Sequence, residues 1–276
     1  MKKMSVLVSI SLLAVLLCGF CWPHNWIPAT CTEPEICSKC GKTQADALGH
    51  AWENRKCVTC GMEKEILRSG DWNYILWEET GTAELTQYLG FDEDVLIPEQ
   101  MNGIPVTAIG TLCFQNNHLE TVNIPAGITA IGDFAFKDCT ALVFVTIPDT
   151  IISIGKNPFL GSCPEFLVSV TNPTVAVIDG VLFDKTEKRL ISYPCQAQRE
   201  QYDIPQGILE IGDSAFLGAR YLQRLTIPDS VTTVGRNPFC LCPAELAVSA
   251  LHPTLAVVDG ILFDKTNNIL LAYCIR

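Results

Sequence analysis

The chain has 276 residues, 48% apolar and 18% charged, enough apolar side chain for a folded core and against disorder. Its formal charge is −11 and no basic run follows residue 3, so phosphate backbones and anionic membrane surfaces are repelled and nucleic-acid function is not expected. Fourteen cysteines split evenly, seven before residue 61 and seven after it.

Residues 1–21 read as a secretory signal peptide. Lys2 and Lys3 precede the apolar run Val6–Leu17, which is short for a membrane span, and Gly19 and Cys21 suit cleavage after Cys21. Losing both lysines takes the charge to −13 (−11 − 2), and no membrane span is expected afterwards. The alternative is an uncleaved N-terminal anchor.

Residues 22–61 read as a small cysteine-rich module with its own repeat. His24-Asn25-Trp26 precedes Cys31, and His50-Ala51-Trp52 precedes Cys57, at one spacing (31 − 24 = 57 − 50 = 7). Each half closes on Cys-x-x-Cys-Gly: Cys37 to Gly41 and Cys57 to Gly61. Two such pairs with sixteen residues between them (57 − 40 − 1 = 16) have the spacing of a structural zinc site, in which four thiolates form a tetrahedron. The expected metal set is Cys37, Cys40, Cys57 and Cys60. Cys31 and the two histidines complicate it, and Cys31, Cys37, Cys40 and His50 form another possible set. An exported chain also allows disulfides in place of metal. Trp26 and Trp52 are expected to pack the small core.

Residues 62–70 read as a linker. Residues 71–98 read as a cap: Tyr74–Trp77 and Ala83–Leu89 flank the turn at 78–82, which predicts a β-hairpin over the first edge of a repeat array. The array runs over 71–276. Ile-Pro recurs at 97, 124, 147, 204 and 227, and Ile-Gly or Val-Gly at 109, 131, 154, 211 and 234. The stretch 124–193 returns at 204–273 with an offset of 80, and each copy holds a shorter step of 23 (147 − 124 and 227 − 204). Such periods mark a solenoid, in which each coil buries its apolar face against its neighbours. Alternation sends Val122 and Ile124 inward and Thr121 and Asn123 outward; proline ends the strand, and phenylalanines such as Phe136 fill the coil. The longer interval from Ile147 to Ile204 holds a strand at 175–178 and an inserted β-hairpin at 181–193. The fold class is therefore a β-rich repeat solenoid with a small N-terminal module.

The unit Leu119…Ile124-Pro125…Ile128…Ile131-Gly132…Ala135-Phe136…Cys139 resembles that of the BspA-like leucine-rich repeat proteins over about residues 71–276. The resemblance implies a right-handed leucine-rich repeat superhelix with inserted β-hairpins. The module at 24–61 resembles cysteine-rich repeats of bacterial surface proteins. Together they imply a secreted or cell-surface bacterial protein with an adhesive or protein-binding role, and they bring no catalytic residues. Arg220 and Leu241 depart from the unit, and the array reaches Arg276 without an obvious cap, so the chain end is expected to be truncated or to pair with something.

Outward strand positions are the candidate protein-binding surface: Thr121 and Asn123, Phe144 and Thr146, Arg224 and Thr226. The expected partner is a host or neighbouring-cell surface protein, and the plain alternative is an ordinary solvated face. Cysteines of the repeats, Cys113, Cys139, Cys163, Cys195, Cys240, Cys242 and Cys274, are expected mostly to act as small buried hydrophobes. A thiol enzyme would need a histidine partner, and only His118 and His252 lie in the repeats, in expected loops. Asp133, Asp213, Asp179 and Asp259 recur with the period and read as turn residues. A structural spacer is the alternative function, and a hydrolase has no constellation behind it.

Overall fold

A computed structural model describes residues 26–39, 42–53 and 55–273. The signal peptide expected at 1–21 lies outside these residues, as do Cys40 and Cys274. Every regular element described is a β-strand, and the chain divides into two compact units, Met1–Lys64 and Glu65–Arg276.

The first unit consists of short antiparallel pieces. Trp26–Ile27 pairs with Glu35–Cys37, and that strand pairs with Thr43–Ala45. Trp52–Glu53 pairs with Lys56–Cys57 in a separate hairpin. Its only fully buried side chains among the described residues are Cys31, Cys37 and Cys57.

The second unit is the solenoid, and it starts earlier than expected. Leu67–Ser69, inside the expected linker, pairs with Trp72–Trp77, so the cap is a three-stranded antiparallel ribbon ending in Thr82–Tyr88. That last strand lies parallel to Ile104–Ile109, which continues through Ala130–Ile131 to Ser153–Ile154. These strands form the Ile-Gly sheet of the first stack. Its Ile-Pro sheet runs Asp94–Leu96, Thr121–Asn123, Phe144–Ile147 and Glu165–Val168, all parallel and in register.

Close stacking explains the glycines of the Ile-Gly corners. A Cβ on Gly132 would lie 2.6 Å from the backbone nitrogen of Thr111, and one on Gly155 would lie 2.5 Å from that of Asp133. The requirement is approach between coils rather than a special φ. Inside, Phe114, Phe136 and Phe159 stack at 4.8 and 5.2 Å between ring centroids.

The insertion holds the expected strand and hairpin, joined as a three-stranded meander, Val175–Ile178, Val181–Asp184 and Arg189–Ser192. Asp179 and Gly180 both have positive φ (53° and 79°), the geometry of a tight type I′ turn, so they join the first two strands directly. Arg189–Ser192 then starts a second Ile-Gly sheet through Glu210–Ile211 and Thr233–Val234. The meander separates two apolar clusters: Leu182 and Ile191 belong to the first, Val181, Phe183 and Leu190 to the second.

Side chains bridge the interruption. The Arg189 guanidinium donates to the carbonyls of Ile154 (2.9 Å) and Gly155 (3.3 Å) and pairs with buried Asp184 at 3.3 Å. Asn157 Nδ2 donates to the Asp213 carbonyl at 3.0 Å. A second meander, Leu255–Val258, Ile261–Asp264 and Ile269–Tyr273, closes the described chain.

Two cysteines depart from the buried-hydrophobe reading: Cys163 and Cys195 form a disulfide across 32 residues, tying the coil before the insertion to the chain leaving it. Cys240 also departs from it, being exposed, whereas Cys113, Cys139 and Cys242 are buried as expected. His252 lies in a loop as expected, between Glu245–Val248 and Leu255–Val258. It is fully buried, its Nε2 donating to the Pro228 carbonyl (3.1 Å) and its Nδ1 accepting from the backbone of Thr254 and Leu255. Asn172, eighty residues earlier, does the same with Pro148, Thr174 and Val175.

Candidate functional site

The first unit brings four metal-ligating side chains together. The ligand atoms of Cys31, His50, Cys57 and Cys60 all lie within 4.8 Å of one another. Local folding places them. Pairing of Trp52 with Cys57 folds His50 back over the Cys57-x-x-Cys60 turn, and the Gly61 amide, at positive φ, closes that turn on the Cys57 carbonyl at 2.9 Å. Cys31 Sγ lies 3.6 Å from Cys57 Sγ, and Cys60 Sγ lies 3.5 Å from His50 Nδ1. A tetrahedral zinc with arms of about 2.3 Å to sulfur and about 2.0 Å to nitrogen has edges of roughly 3.5–3.8 Å, so the spacing already fits an ion.

Of the four thiolates expected, Cys40 lies outside the described residues, and the group formed by the described ones overlaps that expectation in part. Cys57 and Cys60 are in it, and Cys31 and His50 complete it. Cys37 is buried but outside the group, because its pairing with Trp26 fixes it on the other small sheet. The repeat that sets Cys31 opposite Cys57 at an offset of 26 residues (57 − 31) was visible in the sequence, and it marks Cys31 as a partner rather than an extra.

The thiols are unequal. Burial pushes Cys31 up to about 11, with hydrogen bonding to Cys57 and Cys60 acting the same way. Burial also pushes Cys57 up, yet hydrogen bonds from the Cys60 backbone, the His50 ring and the Thr59 backbone outweigh it and bring the thiol down to about 5. Thiols this close compete to carry negative charge. A divalent cation among them removes that competition. The residues present fit zinc.

On the solenoid, the expected surface residues fall in straight rows. Thr121 lies beside Asp94 on one side and Phe144 on the other, and Phe144 beside Glu165; Asn123 lies between Leu96 and Thr146, and Thr146 beside Leu167. Arg224 lies between Gln201 and Glu245, and Thr226 between Asp203 and Ala247. Phe144 is 41% exposed, Leu167 49% and Leu96 91%, whereas Val122 and Val145 between the rows are buried. Leu96 and Leu167 escaped the sequence reading although the same alternation marks them.

Among the described residues no catalytic geometry accompanies these features. Both ring nitrogens of His252 are bonded to backbone, and burial pushes the Cys139 thiol up to about 11, away from a reactive thiolate.

No curated protein sequence matches the chain. Among solved structures it is similar to a leucine-rich cell surface protein from Faecalibacterium prausnitzii (22% identity, 69% of this chain and 78% of that one, TM-score 0.33). It is also similar to the pneumococcal vaccine antigen PcpA (18%, 67% and 70%, TM-score 0.44) and to a leucine-rich repeat protein of T. pallidum (22%, 64% and 68%, TM-score 0.37). The BspA type leucine-rich repeat region matches in six copies over residues 107–242 and 192–270, more than half of the chain. The chain therefore belongs to the BspA-type leucine-rich repeat family.

Proposed function

We propose that this chain is an exported, non-enzymatic surface protein that binds a partner protein through the outward face of its Ile-Pro sheets. In this reading its N-terminal unit is closed by a structural zinc on Cys31, His50, Cys57 and Cys60. Support for binding comes from the rows themselves. Parallel strands ~4.8 Å apart hold Phe144, Leu167 and Leu96 at fixed spacing among small polar side chains, a pattern suited to an extended contact. Support for export comes from the leader pattern of residues 1–21 and the family resemblance.

The test is an array of purified host-matrix and bacterial-surface proteins probed with the intact chain. Phe144→Asp with Thr146→Asp is expected to lower affinity for any partner found by about tenfold or more, the cost of charging an apolar contact, with the unfolding midpoint unchanged. Unchanged affinity removes this face from the account.

A further inference from the structure

The two sheets of the first stack do not begin alike. The cap strand Thr82–Tyr88 covers the outer edge of the Ile-Gly sheet. Asp94–Leu96 is the first strand of the Ile-Pro sheet, bonded to Thr121–Asn123 on one side, and among the described residues no strand pairs with its other side. A bare edge offers backbone donors and acceptors to any extended chain.

The side chains there carry two messages. Asp92, Glu93 and Asp94 are all exposed, as charges that guard an edge commonly are. Phe91 and Leu96 flank them, each 91% exposed. An edge built only to repel other chains has no reason to hold two large apolar side chains in water beside its charges.

Charge names the sign of the partner. Residues 69–136 contain ten Asp and Glu and neither Lys nor Arg, a charge of −10 within a chain whose total is −11. The formal charge of the whole molecule is thus concentrated in the cap and first coils. A field of that kind attracts and orients cationic segments.

We infer that the Asp94–Leu96 edge takes an extended, lysine- or arginine-rich segment of a partner protein as an added strand. Main-chain hydrogen bonds supply the docking. On the outward face, which Asp94 and Leu96 share, a basic side chain of the segment meets Asp94 and an apolar one two residues along meets Leu96, with Phe91, Asp92 and Glu93 continuing the mixed surface. This rests on the protein-binding reading above and places the partner's entry point at one end of the sheet face.

Three labelled twelve-residue peptides test it on the intact chain by fluorescence anisotropy: a Lys-Val peptide of Lys-Thr-Val-Thr repeats, a Glu-Val peptide of Glu-Thr-Val-Thr repeats, and a Lys-Pro peptide of Lys-Pro-Val-Pro repeats, so that one face of the strand carries charge and apolar side chain in turn. The Lys-Val peptide is expected to bind at least tenfold more tightly than the other two, and about tenfold less tightly in 0.5 M salt than in 0.05 M. Phe91→Ser with Leu96→Ser should weaken it about fivefold, and Asp92→Lys with Glu93→Lys and Asp94→Lys should abolish binding, with circular dichroism unchanged. Equal binding of the Lys-Pro peptide, or full binding by the charge-reversed chain, overturns the proposal. Array partners lost by the Phe144→Asp and Thr146→Asp chain but kept by the charge-reversed chain would overturn this inference alone and leave the sheet-face reading standing.

Discussion

The two units hold themselves together by different means. In the solenoid, burial is supplied by dozens of apolar side chains in two clusters, and each coil is backed by the next. Among the described residues of the first unit, burial falls to three cysteines, while Ile27, Leu48, Val58 and Met62 lie exposed. Apolar burial is worth about 25 cal/mol per Å², so a unit with so little of it cannot offset its chain entropy by packing alone. It needs cross-links, and the Cys31, His50, Cys57 and Cys60 group is where a metal cross-link fits.

The largest expected effect follows from that contrast. Removing metal with a chelator should unfold the first unit, whose folding free energy is then the binding free energy of zinc, about 10 kcal/mol or more. The solenoid should keep its unfolding midpoint. Amide exchange read separately over 26–64 and 65–273 checks both statements.

Next come the supports that the solenoid needs where its stacking is interrupted. Arg189→Ala leaves buried Asp184 without its cation and two carbonyls without donors, and should cost about 3–5 kcal/mol in chemical denaturation. The equivalent change in the second copy, Ile269→Ala, should cost far less, because Ile269 is 53% exposed and pairs with no carboxylate. Cys163→Ser with Cys195→Ser opens a loop of 32 residues and should cost about 3–4 kcal/mol.

Smaller effects separate the copies further. His252→Leu strands three buried backbone groups and should cost about 2–3 kcal/mol, whereas His252→Asn should cost under about 1 kcal/mol, since Asn172 already makes the same bonds in the first copy. The smallest effect concerns Asp264. Hydrogen bonds from Thr266 and Asn267 hold its carboxyl down at about 2, below its value in an unfolded chain. Its stabilising contribution is therefore full above about pH 4 and lost as pH falls through about 2. Titration of the Asp264 carboxyl by NMR reads this directly, and Asp264→Asn should flatten the acid limb of the stability curve.

The repeat was legible because its causes are local. Ile-Pro ends a strand, Ile-Gly lets coils approach, and Asp-Gly turns a hairpin, so period and strand ends can be read one residue at a time. What escaped depends on contacts between distant residues. Cys163 and Cys195 meet because the inserted meander returns the chain to the coil it left. Arg189 matters because that meander interrupts the backbone ladder, and its replacement by isoleucine in the second copy made it look like variation. Within the metal group, Cys-x-x-Cys spacing drew attention to paired turns. The pairing of Trp52 with Cys57 brings His50 to the second turn, Cys31 joins it from the loop after Trp26–Ile27, and Cys37 stays with Trp26.

Zinc content of the purified intact chain, compared with its Cys31→Ser, Cys37→Ser and Cys57→Ser variants, tests the metal-held first unit most directly. Loss of about one zinc per chain in Cys31→Ser and in Cys57→Ser, with unfolding confined to residues 26–64, is the predicted result. A chain that binds no metal, or a Cys31→Ser chain that keeps all of it, contradicts the account.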